Sequence, residues 1–125
     1  IAVYSYLKTL FAIPDDGTVI FDGTSRTPTE AEVVADSLRW LGRPFRIFHL
    51  TVPDEEVHGR IALRREKGSR PDDHPEAVAT RLKAYYESTD GAISYLRDQG
   101  LLTDIDGHRP IDVIAAEVRS ILNLQ

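Results

Sequence analysis

Apolar and polar positions along the chain alternate between a helical period and short unbroken apolar runs. Tyr4, Leu7, Leu10 and Phe11 fall at helical spacing ahead of the turn signal Pro14-Asp15-Asp16-Gly17, which predicts the end of a helix over residues 4–12. Residues 18–21 form an apolar run that reads as a short buried strand, and Asp22-Gly23 opens a loop. Thr27-Pro28-Thr29-Glu30 has the form of a helix start, with a capping threonine, a proline at the first helical position and a glutamate at the third. The helix that follows is predicted to bury Ala31, Val34, Leu38 and Leu41 and to stop near Gly42. Residues 45–52 suit a central strand, and Pro53-Asp54-Glu55 starts another helix with acids at the positive end of its dipole.

Further on, residues 68–73 form a polar loop, and Pro75-Glu76 begins a helix through Val78, Leu82, Tyr85 and Tyr86. That helix is expected to bend near Asp90-Gly91 and run through Ile93 and Leu96 to Gly100. Residues 101–105 read as a third strand and Asp106-Gly107-His108-Arg109 as a turn. Pro110 then begins a last helix using Val113, Ile114, Val118, Ile121 and Leu122. Strands alternating with helices predict an α/β fold, a three-layer parallel sheet flanked by helices. Ligands of such sheets bind beyond the carboxyl ends of the strands, which places the chemistry just after Phe21, Val52 and Ile105.

Composition narrows the chemistry. The 125 residues are expected to form a single domain, 1–125, with a short lid loop at about 65–73. Without cysteine there is no disulfide, thiolate nucleophile or cysteine zinc site. No apolar run approaches the length of a bilayer span, so a cytoplasmic protein with no membrane partner is expected. A net charge of −5 argues against nucleic acid. Twelve of the fifteen basic residues are arginine, whose planar fork suits bidentate phosphate binding, although genomic bias or a salt-loving host gives the same preference. The chain starts at Ile1 and contains no methionine, so a preceding segment is expected.

Asp22, at the end of the first predicted strand, stands where nucleotide-binding sheets place a Mg²⁺-ordering acid; a turn aspartate satisfied by backbone N–H groups fits equally. Arg60 and Arg64 share a helical stripe with Val57 and Ile61, and Arg81 repeats the pattern with Val78, Leu82 and Tyr85. Arg70 stands in the loop between them. Each arginine taken singly fits a helix-end or surface pairing role, whereas the four together favour a bound phosphate. His49, His58, His74 and His108 lack metal-ligand spacing, and Ser25 has no nucleophile-elbow glycines.

The string Val19-Ile20-Phe21-Asp22-Gly23-Thr24-Ser25-Arg26-Thr27, followed by Glu30-Ala31-Glu32, resembles the Asp-Gly-Phe-Pro-Arg-Thr signature of adenylate kinases and its Gln-Ala-Glu continuation. Arg70-Pro71-Asp72-Asp73 with Arg81-Leu82 and Tyr85 resembles the family's Arg-x-Asp-Asp block and downstream Arg-Leu-x-x-Tyr, and the 106–110 turn resembles its C-terminal end. The likeness spans nearly the whole chain and implies a short-lid nucleoside monophosphate kinase with a P-loop NTPase-like fold, incomplete at the N-terminus. ATP and Mg²⁺ would be its cofactors, AMP the simplest acceptor, and a monomer its state.

By that resemblance Gly23, Thr24, Ser25, Arg26 and Glu30 line the acceptor site, and Asp22 orders Mg²⁺ through water. Arg70 and Arg81 contact both the transferring phosphoryl group and the acceptor phosphate. Arg60 and Arg64 lie on the ATP side, with Gly107 and Arg109 bordering the adenine. Thr24 and Ser25 replace the family's Phe-Pro, and Glu30 replaces its glutamine, either as an altered base contact or as the capping box of Thr27. No Gly-x-x-x-x-Gly-Lys-Ser/Thr occurs, so catalysis is expected of an intact parent and not of this chain alone. Two alternatives remain at this point: a small-molecule kinase with another acceptor, and a degenerate, non-catalytic nucleotide-binding module.

Overall fold

The computed structural model describes residues 2–66, 68 and 74–124. In chain order the elements are α1 (Ala2–Ala12), α2 (Pro28–Trp40), β1 (Ile47–Thr51), α3 (Asp54–Glu66), α4 (Pro75–Ala84), a π-helical turn (Tyr85–Thr89), α5 (Asp90–Asp98), β2 (Leu102–Asp106) and α6 (Ile111–Ile121). They gather into two compact units, one made of Ile1–Arg46 and Arg81–Leu101, the other of Ile47–Thr80 and Leu102–Gln125.

The first unit is helical. Tyr6 and Leu10 of α1 pack on Val34 of α2, with Leu7, Ile13, Phe21, Leu38 and Leu41 closing around them. The buried stripe of α1 is thus rotated from the predicted one, leaving Tyr4 and Phe11 exposed. α2 also packs on α5, where Ala31, Ala35 and Ala92 are wholly buried and allow the helix backbones to approach closely. The local signals act as the sequence predicts at both ends of α2. Thr27 caps it by accepting from the Glu30 N–H, and Gly42, at φ +63°, ends it. There the Gly42 and Arg43 N–H groups turn back to the carbonyls of Arg39 and Leu38, the paired bonds of a glycine-terminated helix. Arg43 then donates to the carbonyls of Ile13 (2.7 Å) and Pro14 (2.9 Å), which ties the chain after α2 to the turn that follows α1.

Residues 18–21 depart from expectation. They carry no strand, and Ile20 is 91% exposed, because among the described residues no neighbouring strand pairs with them. The predicted bend near Asp90-Gly91 takes the form of the π turn just before it, with the Asp90 N–H reaching back to the Tyr85 carbonyl.

The second unit holds β1 and β2, paired in parallel from Ile47↔Leu102 to Thr51↔Asp106. Parallel pairing of strands separated by helices makes this an α/β arrangement, as the sequence predicts. Ile105 is almost wholly buried, while α6 buries none of its apolar stripe: Ile114, Val118 and Ile121 are half-buried, and Val113 and Leu122 are exposed. Among the described residues no helix is long and apolar enough to cross a membrane.

Candidate functional site

Two cavities lie where the strand-end argument places ligands. In the first unit a cavity of about 300 Å³ is lined by Ala2, Val3, Tyr6, Asp22, Gly23, Thr24, Ser25, Arg26, Glu30 and Val34. Every predicted acceptor-site residue before α2, together with Asp22 and Glu30, therefore meets in one concavity. Gly23 and Ser25 both have positive φ (+72° and +61°), so the loop doubles back sharply between residue 21 and the helix. This turn brings the Arg26 Nε within 2.9 Å of the Gly23 carbonyl, with the guanidinium lying against the Gly23 α-carbon. The Arg26 carbonyl accepts from the Thr89 hydroxyl at 3.2 Å, anchoring the loop to the π turn.

Glu30 has a definite local role. Its Oε2 accepts from the Arg26 N–H at 2.8 Å while its own N–H bonds the Thr27 hydroxyl at 3.2 Å, a reciprocal cap displaced by one residue from the usual box. A carboxylate keeps further lone pairs after one such bond, so capping and a ligand contact are compatible. Asp22 is exposed on the loop. Among the described residues no three histidine or acidic side chains come together as a metal cage.

In the second unit a cavity of about 460 Å³ opens at the carboxyl ends of β1 and β2, lined by Thr51, Val52, Pro53, Asp106 and His108. The turn after β2 is pinned on several sides. The Gly107 N–H donates to the Thr51 carbonyl at 2.9 Å, and Arg60 donates to the Gly107 carbonyl at 2.8 Å while pairing with Glu56 at 2.7 Å. A Cβ on Gly107 would lie 2.7 Å from a Val52 methyl and 3.1 Å from the Thr51 carbonyl, so only glycine fits this contact. Arg109 bonds the Asp106 carbonyl (3.2 Å) and the Glu117 carboxylate.

The predicted arginines thus divide. Arg60 reaches the strand-end turn directly. Arg64 shares the half-buried stripe of α3 with Val57 and Ile61, and Arg81 is exposed on α4 in the other unit. Arg70, and the lid loop around it at 67 and 69–73, lie outside the described residues. Of the histidines, His49 bonds its cross-strand partner Asp104 at 2.8 Å and His74 accepts the Ala77 N–H at the start of α4, so both have structural partners. Sequence reasoning missed Tyr6, a cavity-lining residue. Its place in a helical apolar stripe marks it only as core.

Comparison with known proteins identifies the family. A family model described as an AAA domain matches residues 3–89, which sets the class as a P-loop kinase-type nucleotide-binding fold. The chain is 33% identical over 138 aligned positions to an adenylate kinase of Cyanothece sp., covering 97% of this chain and 71% of that protein. Adenylate kinases of Caulobacter vibrioides and Thermus thermophilus are 37% and 36% identical over 107 positions, covering 85% of this chain but 56% and 58% of theirs. The chain belongs to the adenylate kinase family. It spans little more than half the length of the last two relatives.

Proposed function

We propose that this chain carries the acceptor pocket and the ATP-base side of an enzyme that moves the γ-phosphoryl group of ATP to a nucleoside monophosphate, AMP in the simplest case. The observation that carries this reading is the first cavity. It joins an apolar wall suited to a base to a polar loop of Gly23, Thr24, Ser25 and Arg26 suited to a phosphate. In this reading Arg26 holds the acceptor phosphate, Arg70 and Arg81 close over both it and the transferring phosphoryl group, Arg64 lies on the ATP phosphates, and Asp22 orders the water shell of Mg²⁺. Arg60 acts through the Gly107 turn, which with Arg109 borders the ATP base. Mg²⁺, its water shell held by Asp22, would supply positive charge that offsets the charge of the phosphates. The protein side chains position the reactants and exclude water, which is what phosphoryl transfer requires of them. The glycine-rich phosphate loop absent from these residues belongs, in this proposal, to the same polypeptide outside them, and the chain alone is inactive.

A second reading, a kinase with another acceptor, is favoured by Glu30 at the cavity wall and by Thr24 and Ser25 in the loop. A panel of nucleoside monophosphates assayed with ATP and Mg²⁺ separates the two, since AMP is the best acceptor only under the first. Arg64→Ala and Arg81→Ala in the intact enzyme are expected to lower phosphoryl transfer at least about a hundredfold with the fold retained. Turnover unchanged in both variants would remove their assigned roles.

A further inference from the structure

We infer that Glu56 is a positioning residue for ATP binding: it acts through Arg60 to fix the orientation of the turn after β2, an assignment that rests on the reading of that turn as the border of the ATP base. Glu56 stands in the first turn of α3 with Arg60 four residues on, so the two share one face of the helix, the acid N-terminal to the arginine, which is the favourable order for such a pair. The Glu56 Oε1 accepts from the Arg60 Nε at 2.7 Å, and the Arg60 Nη2 donates to the Gly107 carbonyl at 2.8 Å. Two edges of one planar guanidinium are therefore held, one by its own helix and one by a turn 47 residues away.

The held arginine completes the bonding of two successive peptide planes. The Asp106 carbonyl accepts from Arg109 at 3.2 Å, and the Gly107 N–H donates to the Thr51 carbonyl at 2.9 Å. In the next plane the Gly107 carbonyl takes Arg60, and the His108 N–H donates to the Asp106 Oδ1 at 2.9 Å. All four polar groups between Asp106 and His108 thus have partners, and Arg60 brings α3 into that set. Asp106 and His108, on either side of Gly107, line the cavity at the strand ends, so a rotation of the second plane would shift the wall a ligand meets there. The other carboxylate oxygen of Glu56 lies 3.8 Å from the His108 Nδ1, so the same side chain faces the turn twice. Folding stability does not account for the arrangement. The Glu56 and Arg60 side chains are 33% and 49% exposed, and ion pairs in contact with solvent contribute little to it. The effect of the pair is orientation: an arginine pinned in advance, with the turn it holds, loses less freedom when a ligand arrives.

The test measures ATP and inorganic tripolyphosphate binding by calorimetry in the full-length protein that carries this chain, for wild type, Glu56→Ala, Glu56→Gln, Arg60→Ala and the Glu56→Ala/Arg60→Ala double variant, with the unfolding temperature of each. The assignment expects Glu56→Ala to weaken ATP about threefold to tenfold, the loss of one charge-assisted hydrogen bond partly screened by water, with tripolyphosphate affinity and unfolding temperature nearly unchanged. Glu56→Gln keeps an oxygen acceptor for the Arg60 Nε and should lose less. On the Arg60→Ala background Glu56→Ala should cost nothing further, because Glu56 acts through the arginine. Three results would each overturn the assignment: ATP affinity unchanged in Glu56→Ala while Arg60→Ala weakens it, an equal loss for tripolyphosphate, or a full second loss in the double variant. ATP bound as tightly by Arg60→Ala as by wild type would instead remove the ATP-base reading of the turn, and the assignment with it.

Discussion

Replacing Gly23 with alanine separates the shape of the proposed acceptor loop from the charge it carries. Gly23 sits at φ +72°, where a Cβ meets its own carbonyl environment at a cost of roughly 1–2 kcal/mol. The added methyl would also lie 2.6 Å from the Arg26 Nη2, well inside contact distance, so the guanidinium must swing off the Gly23 carbonyl it now holds at 2.9 Å. A side chain's far end moves readily, so most of the stability loss comes from the backbone and most of the functional loss from Arg26. Displacing a guanidinium proposed to hold the acceptor phosphate by about 1 Å is expected to cost up to about a hundredfold in kcat/KM for the acceptor. The assay is a double-mutant cycle of Gly23→Ala and Arg26→Ala, with steady-state kinetics at varied acceptor and urea unfolding for stability. If Gly23→Ala acts through Arg26, the double variant is no worse in kcat/KM than Arg26→Ala alone, and the stability losses fall short of their sum because both variants remove the Arg26–Gly23 hydrogen bond. Kinetic effects that multiply would refute the mechanism, because the alanine would then be acting on something other than the arginine.

Three other outcomes follow from the geometry. Gly107→Ala forces the Val52 methyl to retreat by about 0.8 Å to reach an ordinary carbon contact of roughly 3.5 Å, at a cost of about 1–3 kcal/mol in urea unfolding. Val52→Ala should relieve part of that loss and leave the part due to the Thr51 carbonyl at 3.1 Å; no relief would mean the clash is elsewhere. Thr27→Ala removes the acceptor for the Glu30 N–H and should destabilise by about 1 kcal/mol, whereas Thr27→Ser should cost a fraction of that. For Tyr6 the folded hydroxyl titrates near 12 against an ordinary 10, so the unfolded chain loses its proton first. Stability is then full below pH 10 and declines as pH rises toward 12, and in Tyr6→Phe that alkaline decline is expected to be shallower.

What the residues determine alone is local. The Thr27-Pro28-Thr29-Glu30 start, the Gly42 stop and the acids opening α3 act within a few bonds of themselves, and each sits where the sequence predicts it. The same holds for the 22–26 loop, whose short-range turns bring Asp22 through Arg26 to one cavity. Strand character at 18–21 was not decidable this way, because a strand exists only through a neighbour's hydrogen bonds and none pairs with it among the described residues. Nor was the buried face of α1. Helical period marks Tyr4, Leu7, Leu10 and Phe11 and also admits Tyr6, and packing against Val34 and Phe21 selects the Tyr6–Leu10 stripe. Arg60's hold on the Gly107 carbonyl, 47 residues away, likewise depends on where the chain returns rather than on what it contains. Periodicity and capping are set by covalent neighbours, whereas pairing and burial depend on residues distant in sequence, and only the tertiary structure brings those together.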